Sequence, residues 1–124
     1  MTLEGLGARE RQIMEAVYRL GRAGVREVLD ELPDSPHYSS VRTMLNKLEE
    51  KGLLRHVEDG RRYVYLPTIP RAETQRSTLK RVVRNFFDGS TSRTMAALLD
   101  LDSTLSEEEV EDLRARIEKL RRSE

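Results

Sequence analysis

The sequence has no cysteine in its 124 residues, and this absence removes several kinds of site at once. Without cysteine the chain has neither a disulfide framework nor a thiolate metal site. Its two histidines, His37 and His56, are too few to close a zinc site by themselves. A chain without disulfides fits a reducing compartment, and this length is typical of one domain, or of a small domain with a short extension.

Long apolar runs are also missing. No stretch approaches the roughly 20 apolar residues of a membrane-spanning helix, and residues 1–14, MTLEGLGARERQIM, lack the apolar core of a signal peptide. We therefore expect a soluble, cytoplasmic protein with no insertion into a membrane.

The sequence has no excess of either charge, because 22 Lys and Arg balance 22 Asp and Glu. The balance hides an uneven distribution: residues 71–99 carry 6 basic and 2 acidic side chains, whereas residues 100–124 carry 5 and 9. Since the basic and acidic parts are separate, a net charge of zero does not argue against a nucleic acid as partner.

Motifs of common enzyme classes are absent as well. The chain has no cysteine nucleophile, no glycine-rich phosphate loop and no HExxH motif. His37 and His56 have acids nearby in sequence, Asp34 and Glu58, but such a pair alone is more often structural than catalytic. We expect no enzymatic activity, no metal and no cofactor, and no cluster of residues defines a small-molecule effector site.

A series of helical patterns is present, followed by a ribbon. Apolar residues at helical spacing predict helices at 9–20 and 25–32, and a third helix with Ser39 as its N-cap and Lys51-Gly52 at its end. Asp59-Gly60 predicts a two-residue hairpin turn, and Pro67 closes the second strand.

Three more helices are predicted after the ribbon. Pro70 opens a long helix that Gly89 stops, residues 92–100 form a shorter helix, and a capping box of Ser106 and Glu109 starts the last one. The predicted fold is mainly α with a small β-ribbon. It consists of a winged helix-turn-helix domain at residues 1–69 and a three-helix segment at residues 70–124.

The third predicted helix has a polar face that contains donors and positive charge, with no carboxylate before Glu49. Arginine can bind guanine through two hydrogen bonds, asparagine can do the same for adenine, and a threonine methyl can meet that of thymine. Serines near a helix start can hold phosphate. With two arginines at the ribbon tip, the pattern predicts DNA binding by Ser39, Ser40, Arg42, Thr43, Asn46, Lys47, Arg61 and Arg62.

Two alternatives to DNA binding stay open. A polar helix face of this composition is often simply solvated, and a winged helix also serves as a protein-interaction module without specific DNA binding. The acidic run EEEVED would then recruit a partner, although its simpler role is to complement the dipole of its own helix.

The sequence resembles the penicillinase-repressor family of bacterial transcription regulators, which includes the methicillin-resistance and copper-responsive repressors. The resemblance lies in GARERQIMEAVY (7–18), SSVRTMLNKLEEKGLL (39–54), DGRRYVYLP (59–67) and LSEEEVEDLR (105–114). It implies a repressor whose winged helix binds an inverted-repeat operator and whose C-terminal helices form a homodimer. By position, it assigns base and phosphate contacts to Ser39, Ser40, Arg42, Thr43 and Lys47, and wing contacts to Arg61 and Arg62.

The sequence departs from the family in two places. Some members are inactivated when a membrane-bound metalloprotease sensor cuts an Asn-Phe bond in the C-terminal segment, and the matching position here is Leu98-Leu99. Cleavage by the same rule is therefore not expected, although a sensor protease remains a possible partner. Copper sensing through a C-terminal cysteine cluster is excluded, because the chain has no cysteine.

The three C-terminal helices carry more apolar side chains than isolated helices can bury. Burial against a second copy would cover them, and the alternative is an intramolecular core packed on the winged helix. The predicted dimer residues are Leu79, Val82, Val83, Phe86, Met95, Leu98, Leu99, Val110, Leu113, Ile117 and Leu120.

Overall fold

A computed structural model of the protein describes residues 3–101 and 104–123. Within them it confirms a mainly helical fold with a two-stranded antiparallel ribbon, in the predicted order. The described residues form two compact units, one ending at Arg81 and the other starting at Val82. The elements are α1 (Ala8–Leu20), α2 (Val25–Glu31), α3 (Tyr38–Glu50), β1 (Leu54–Asp59), β2 (Arg62–Pro67), α4 (Arg71–Phe86), α5 (Thr91–Leu101) and α6 (Glu107–Arg122).

The core of the first unit lies between α1, α2, α3 and the ribbon. Each helix contributes the apolar stripe that its three- and four-residue spacing puts on one side. In α3, Val41, Leu45 and Leu48 are buried and Met44 packs at the margin, as their helical spacing predicts. The buried side chains of largest volume are Tyr65, Ile13, Met14, Leu45, Leu48, Leu54, Val17, Val28, Val41 and Val64.

The start of α3 differs from the prediction, and its end agrees with it. The N-cap is His37, whose carbonyl accepts from the N–H groups of Ser40 and Val41 at 3.0 and 3.2 Å. Ser39 is therefore inside the first turn, and its prediction as N-cap is wrong: the extended backbone of His37 places a carbonyl at the helix entrance two residues earlier. At the other end, Gly52 has a φ of +82°, which a C-terminal glycine tolerates without strain.

The ribbon turn is shifted by one residue from the prediction. Asp59 pairs with Arg62 across the ladder, so the two turn residues are Gly60 and Arg61 rather than Asp59 and Gly60. Only the first turn position needs a positive φ, and Gly60 supplies it at +67°, as glycine does at the first central position of a type II′ turn. The shift moves Arg61 from a strand to the tip of the ribbon.

The helices after the ribbon start with the predicted signals. Pro70 immediately precedes α4, and its carbonyl accepts from the N–H groups of Glu73 and Thr74 at 3.0 and 3.2 Å. It therefore acts as a cap rather than as the first helical residue. The predicted capping box of α6 is confirmed, because Ser106 Oγ accepts from Glu109 N at 3.1 Å and Ser106 N donates to Glu109 Oε1 at 2.9 Å.

Ion pairs connect α1 to more distant parts of the first unit. Lys51 Nζ lies 2.6 Å from Glu10 Oε2 and, together with the N–H of Gly7, lowers the pKa of Glu10 below its ordinary value. Arg9 donates to Asp34 at 2.9 Å and lowers the pKa of that carboxyl too. Both pairs hold their carboxylates in the ionised form.

We expect this arrangement to make the protein less stable in acid. Because the pKa of Glu10 is lower in the folded chain, its contribution is present above the ordinary carboxyl pKa of 4.5 and is lost as the pH falls through the folded value. Urea unfolding should therefore give a free energy that decreases on acidification, and Glu10→Gln should make that decrease smaller. An equal decrease in both proteins would contradict this role of Glu10.

Candidate nucleic-acid interface

The polar side of α3 faces solvent in the first unit. All six predicted residues on it are exposed, whereas Val41, Leu45 and Leu48 on the other side are buried. Arg42 and Lys47 form no ion pair with any residue that the structure describes. This surface, here called the reading face, therefore offers donors and positive charge, and it consists of Ser39, Ser40, Arg42, Thr43, Asn46 and Lys47.

The N-terminus of α3 adds backbone donors to the reading face. No side chain forms a cap hydrogen bond there, and the first turn contains no acidic residue. The N–H of Ser40 already donates to the His37 carbonyl, but the N–H groups before it have no partner within the helix and carry the positive end of the dipole. Ser39 and Ser40 lie beside these groups, so this end of α3 is suited to an anionic group such as phosphate.

The ribbon, residues 54–67, forms the wing. Arg61 and Arg62 are both exposed, as expected for DNA contacts, but their surroundings differ. Arg61 is at the tip and forms no ion pair within the described part of the chain. Arg62 Nη1 lies 2.5 Å from Glu27 Oε1 in the first turn of α2. Arg62 thus connects the wing to α2, a role that its position next to the turn did not predict.

A basic cleft of about 400 Å³ separates the wing from the starts of α2 and α3. Arg42, Arg61 and Arg62 all line it, so the structure brings together the arginines that the sequence placed on two elements. The other five residues of the reading face lie outside it. Six of the lining residues were not predicted as site residues: Gly24, Val25, Arg26, Tyr38, Tyr63 and Tyr65.

No local pattern distinguishes these additional residues. Arg26 has the spacing of an ordinary solvent-facing residue and forms an ion pair with Asp30 at 3.9 Å. Tyr63 alternates along a strand as surface residues do, and it is 46% exposed. Only the packing of the wing beside α2 and α3 puts these side chains around one cleft.

Side chains also fix the wing against α3. The Tyr65 hydroxyl donates to Asn46 Oδ1 at 2.6 Å. His56 N donates to Glu49 Oε2 at 2.9 Å, its Nδ1 lies 2.7 Å from the same oxygen, and its ring stacks on Tyr63. The acid beside His56 is therefore Glu49 of α3 rather than the sequence neighbour Glu58.

The other histidine, His37, caps α3. In the residues that the structure describes, no three His, Asp or Glu side chains are grouped as metal ligands would be.

The predicted dimer residues are uncovered or only partly covered in the single chain. Val82, Val83 and Val110 are half-buried, and the others are exposed or half-exposed, with 74% of Phe86 and 70% of Leu120 accessible. The predicted dimer residues with the most exposed apolar surface are Leu79, Phe86, Met95, Leu98, Leu99, Leu113, Ile117 and Leu120.

No helix in the described ranges combines the length and apolarity needed to cross a bilayer.

Comparison of this chain with known proteins finds similar repressors. A family model described as penicillinase repressor matches residues 6–119. The chain is 28% identical to the penicillinase repressor of Bacillus licheniformis over 106 residues, which cover 84% of this chain and 82% of that one.

Two solved structures are similar as well. The DNA-binding domain of the repressor BlaI is 28% identical and has a TM-score of 0.50, with 59% of this chain and 93% of that domain covered. A mutant of MarR from E. coli, solved with operator DNA, is matched over 94% of this chain and 76% of its own, with a TM-score of 0.56. At 16% identity the second likeness shows the fold alone.

Proposed function

The chain belongs to the penicillinase repressor family, and from this membership we propose that it represses transcription as a homodimer bound to an inverted-repeat operator. The observation that supports this most strongly is the cleft in which α3 and the wing bring Arg42, Arg61 and Arg62 together. In this proposal residues 1–69 bind double-stranded DNA and residues 70–124 form the dimer. The protein acts in the cytoplasm and needs no cofactor.

We propose that α3 enters the major groove with its reading face toward the bases. Arg42 is exposed and forms no ion pair within the described residues, so its guanidinium is available for two hydrogen bonds to guanine O6 and N7. Thr43, the next residue along the face, presents a methyl group suited to thymine. These two side chains would supply direct base contacts.

Phosphate contacts would orient the protein on the duplex. Ser39 and Ser40 lie at the start of α3, where no side chain caps the helix, Lys47 lies further along it, and Arg61 extends from the wing tip. Arg62 would act mainly by holding the wing through Glu27, with its exposed side available to the backbone. Such contacts add affinity that falls steeply with salt and carry little sequence preference.

Arg42→Ala should weaken operator binding by about 1–3 kcal/mol and reduce the preference at one base pair of each half-site. Fluorescence anisotropy on DNA upstream of the chain's own gene, with scrambled competitor and a salt series, measures this. The matched control is Arg19→Ala, which removes the same charge beside a different cleft and should bind like the wild type. Unchanged binding by Arg42→Ala would contradict the assignment of the reading face, and wild-type binding insensitive to salt would favour the protein-interaction alternative.

The homodimer is proposed because the C-terminal helices expose apolar stripes that a second copy would cover. Along α6 the stripe includes Leu113, Ile117 and Leu120. The first turn of this helix is acidic and the last turn is basic. Two copies of α6 running antiparallel would place the acidic end of one beside the basic end of the other while burying both stripes.

Release of DNA would follow from loss of this dimer. Each winged helix reads only a few base pairs, so the two half-sites are held together by the C-terminal segment. Cleavage in residues 70–124 by a sensor protease, or any other disruption of the interface, would separate them. The absence of an Asn-Phe bond at Leu98-Leu99 means that a protease acting there would need a different sequence preference.

A further inference from the structure

The side-chain amide of Asn46 is already engaged on one side. Asn46 lies three and four residues after Thr43 and Arg42, so all three share the reading face. Its Oδ1 accepts the Tyr65 hydroxyl at 2.6 Å. The amide is therefore oriented by the wing before any DNA is present.

Tyr65 is held firmly enough to impose this orientation. Its side chain is only 1% exposed, and its backbone pairs with His56 on one side. On the other side Tyr65 N donates to Ala23 O at 2.8 Å, and Ala23 N donates to Tyr65 O at 3.0 Å. With both edges of the strand paired at this residue, the hydroxyl has a fixed position relative to α3.

The Tyr65 hydroxyl also keeps its proton. Burial raises its pKa above the ordinary value of 10.0, and the nearby carboxylate of Glu49 raises it further. A protonated hydroxyl facing Oδ1 acts as the donor and takes one of the two lone pairs of that oxygen, so the amide is held with its oxygen toward the wing and its NH₂ group is the freer part for an external partner.

Base edges in the major groove differ in what they offer to such a group. Adenine presents N7 as an acceptor and N6 as a donor, so an asparagine that binds it uses both its amide oxygen and its NH₂. Guanine presents two acceptors, N7 and O6. An asparagine whose oxygen is held toward Tyr65 presents its NH₂ group, which suits the two acceptors of guanine, and is less able to turn the same oxygen toward N6 of adenine.

We propose that Tyr65 is a positioning residue that makes Asn46 select guanine rather than the adenine expected from an asparagine on a reading face. This inference rests on the proposed function, because it needs α3 in the major groove. It assigns to a buried wing residue a part in sequence preference, although that residue contacts no DNA.

The test uses the full-length protein and a random pool of DNA duplexes. Bound duplexes are sequenced for the wild type and for Asn46→Ala, and competition anisotropy then measures single base-pair changes. We expect a guanine preference at one position of each half-site that Asn46→Ala removes. In Tyr65→Phe the guanine-to-adenine preference at that position should shift by roughly tenfold toward adenine, since the freed amide oxygen can accept from N6.

The matched control is Tyr18→Phe, which removes a hydroxyl that donates to Ile69 O at 2.9 Å, outside the cleft and away from Asn46. It should leave the base preference unchanged, whatever its effect on overall affinity. Circular dichroism and thermal unfolding verify that each variant is folded, and a merely structural role of Tyr65 would weaken binding to all sequences equally.

Three results would overturn the inference. Asn46→Ala that selects the same bases as the wild type would show that Asn46 reads no base. Tyr65→Phe with the wild-type preference, or a wild-type preference for adenine at the Asn46 position, would show that Tyr65 does not set it. A wild-type protein that selects no common sequence would instead contradict the proposed function itself.

Discussion

Ile117→Asp should convert the dimer to a monomer and weaken operator binding by about 10²–10⁴-fold, the gain that linking two binding sites supplies. Ile117 is 46% exposed in the single chain and lies in the middle of the α6 stripe, where the proposed second copy would enclose it. A carboxylate there would be buried without a partner in both subunits, which costs several kcal/mol. Without the dimer each winged helix binds its half-site alone.

Analytical ultracentrifugation and anisotropy on the same samples measure the two parts of this prediction. The matched control is Ala115→Asp, which adds the same charge on the opposite side of α6, two residues from Ile117. It should remain dimeric and bind like the wild type. An Ile117→Asp protein that stays dimeric would place the interface elsewhere, whereas a monomer with full operator affinity would contradict the proposed two-site binding.

The antiparallel orientation of α6 in the dimer can be tested separately by reversing charges. Glu107→Arg with Glu108→Arg reverses charge at the acidic end without touching the capping box, and Arg116→Glu with Arg121→Glu reverses it toward the basic end. In an antiparallel pair each double variant should dimerise poorly alone, and mixing the two should restore a heterodimer. Equal dimerisation of all samples would argue against the antiparallel arrangement.

Leu45→Ala should lower the free energy of unfolding by about 2–5 kcal/mol, the range for removing a buried leucine side chain. Leu45 is 0% exposed on the inner side of α3, among the buried residues of α1, α2 and the wing. The loss combines the apolar burial given up with the cavity left behind. Since Leu45 faces away from the reading face, the folded variant should retain the operator sequence preference of the wild type.

Urea unfolding followed by circular dichroism measures this effect. Protein concentration should be held constant, because dimerisation would make the apparent stability depend on it. Met44→Ala is the matched control, since Met44 is on the same helix but only packs at the edge of the core. It should cost clearly less than Leu45→Ala, and equal losses would contradict the assignment of Leu45 to the core centre.

The sequence by itself determined the order of elements and the exposed side of α3. Helical spacing, a C-terminal glycine, a capping box and a hairpin signal are local features. Each depends on interactions between residues that lie within one or two turns of each other along the chain. The same periodicity separated Val41, Leu45 and Leu48 from Arg42 and Thr43, so the reading face followed from the burial pattern. The three errors, at Ser39, Asp59-Gly60 and Pro70, were shifts of one or two residues at element ends, where backbone caps and turn geometry compete.

Only the tertiary structure decided which partners these residues meet. Arg62 pairs with Glu27, 35 positions away, and Tyr65 bonds to Asn46, 19 positions away. The wing packs beside α2 and α3, and this packing pairs His56 with Glu49. The same packing brings Arg26, Tyr38 and Tyr63 around the cleft. Contacts between elements arise when separate apolar stripes share one core, and no local spacing encodes which polar side chains that packing brings together.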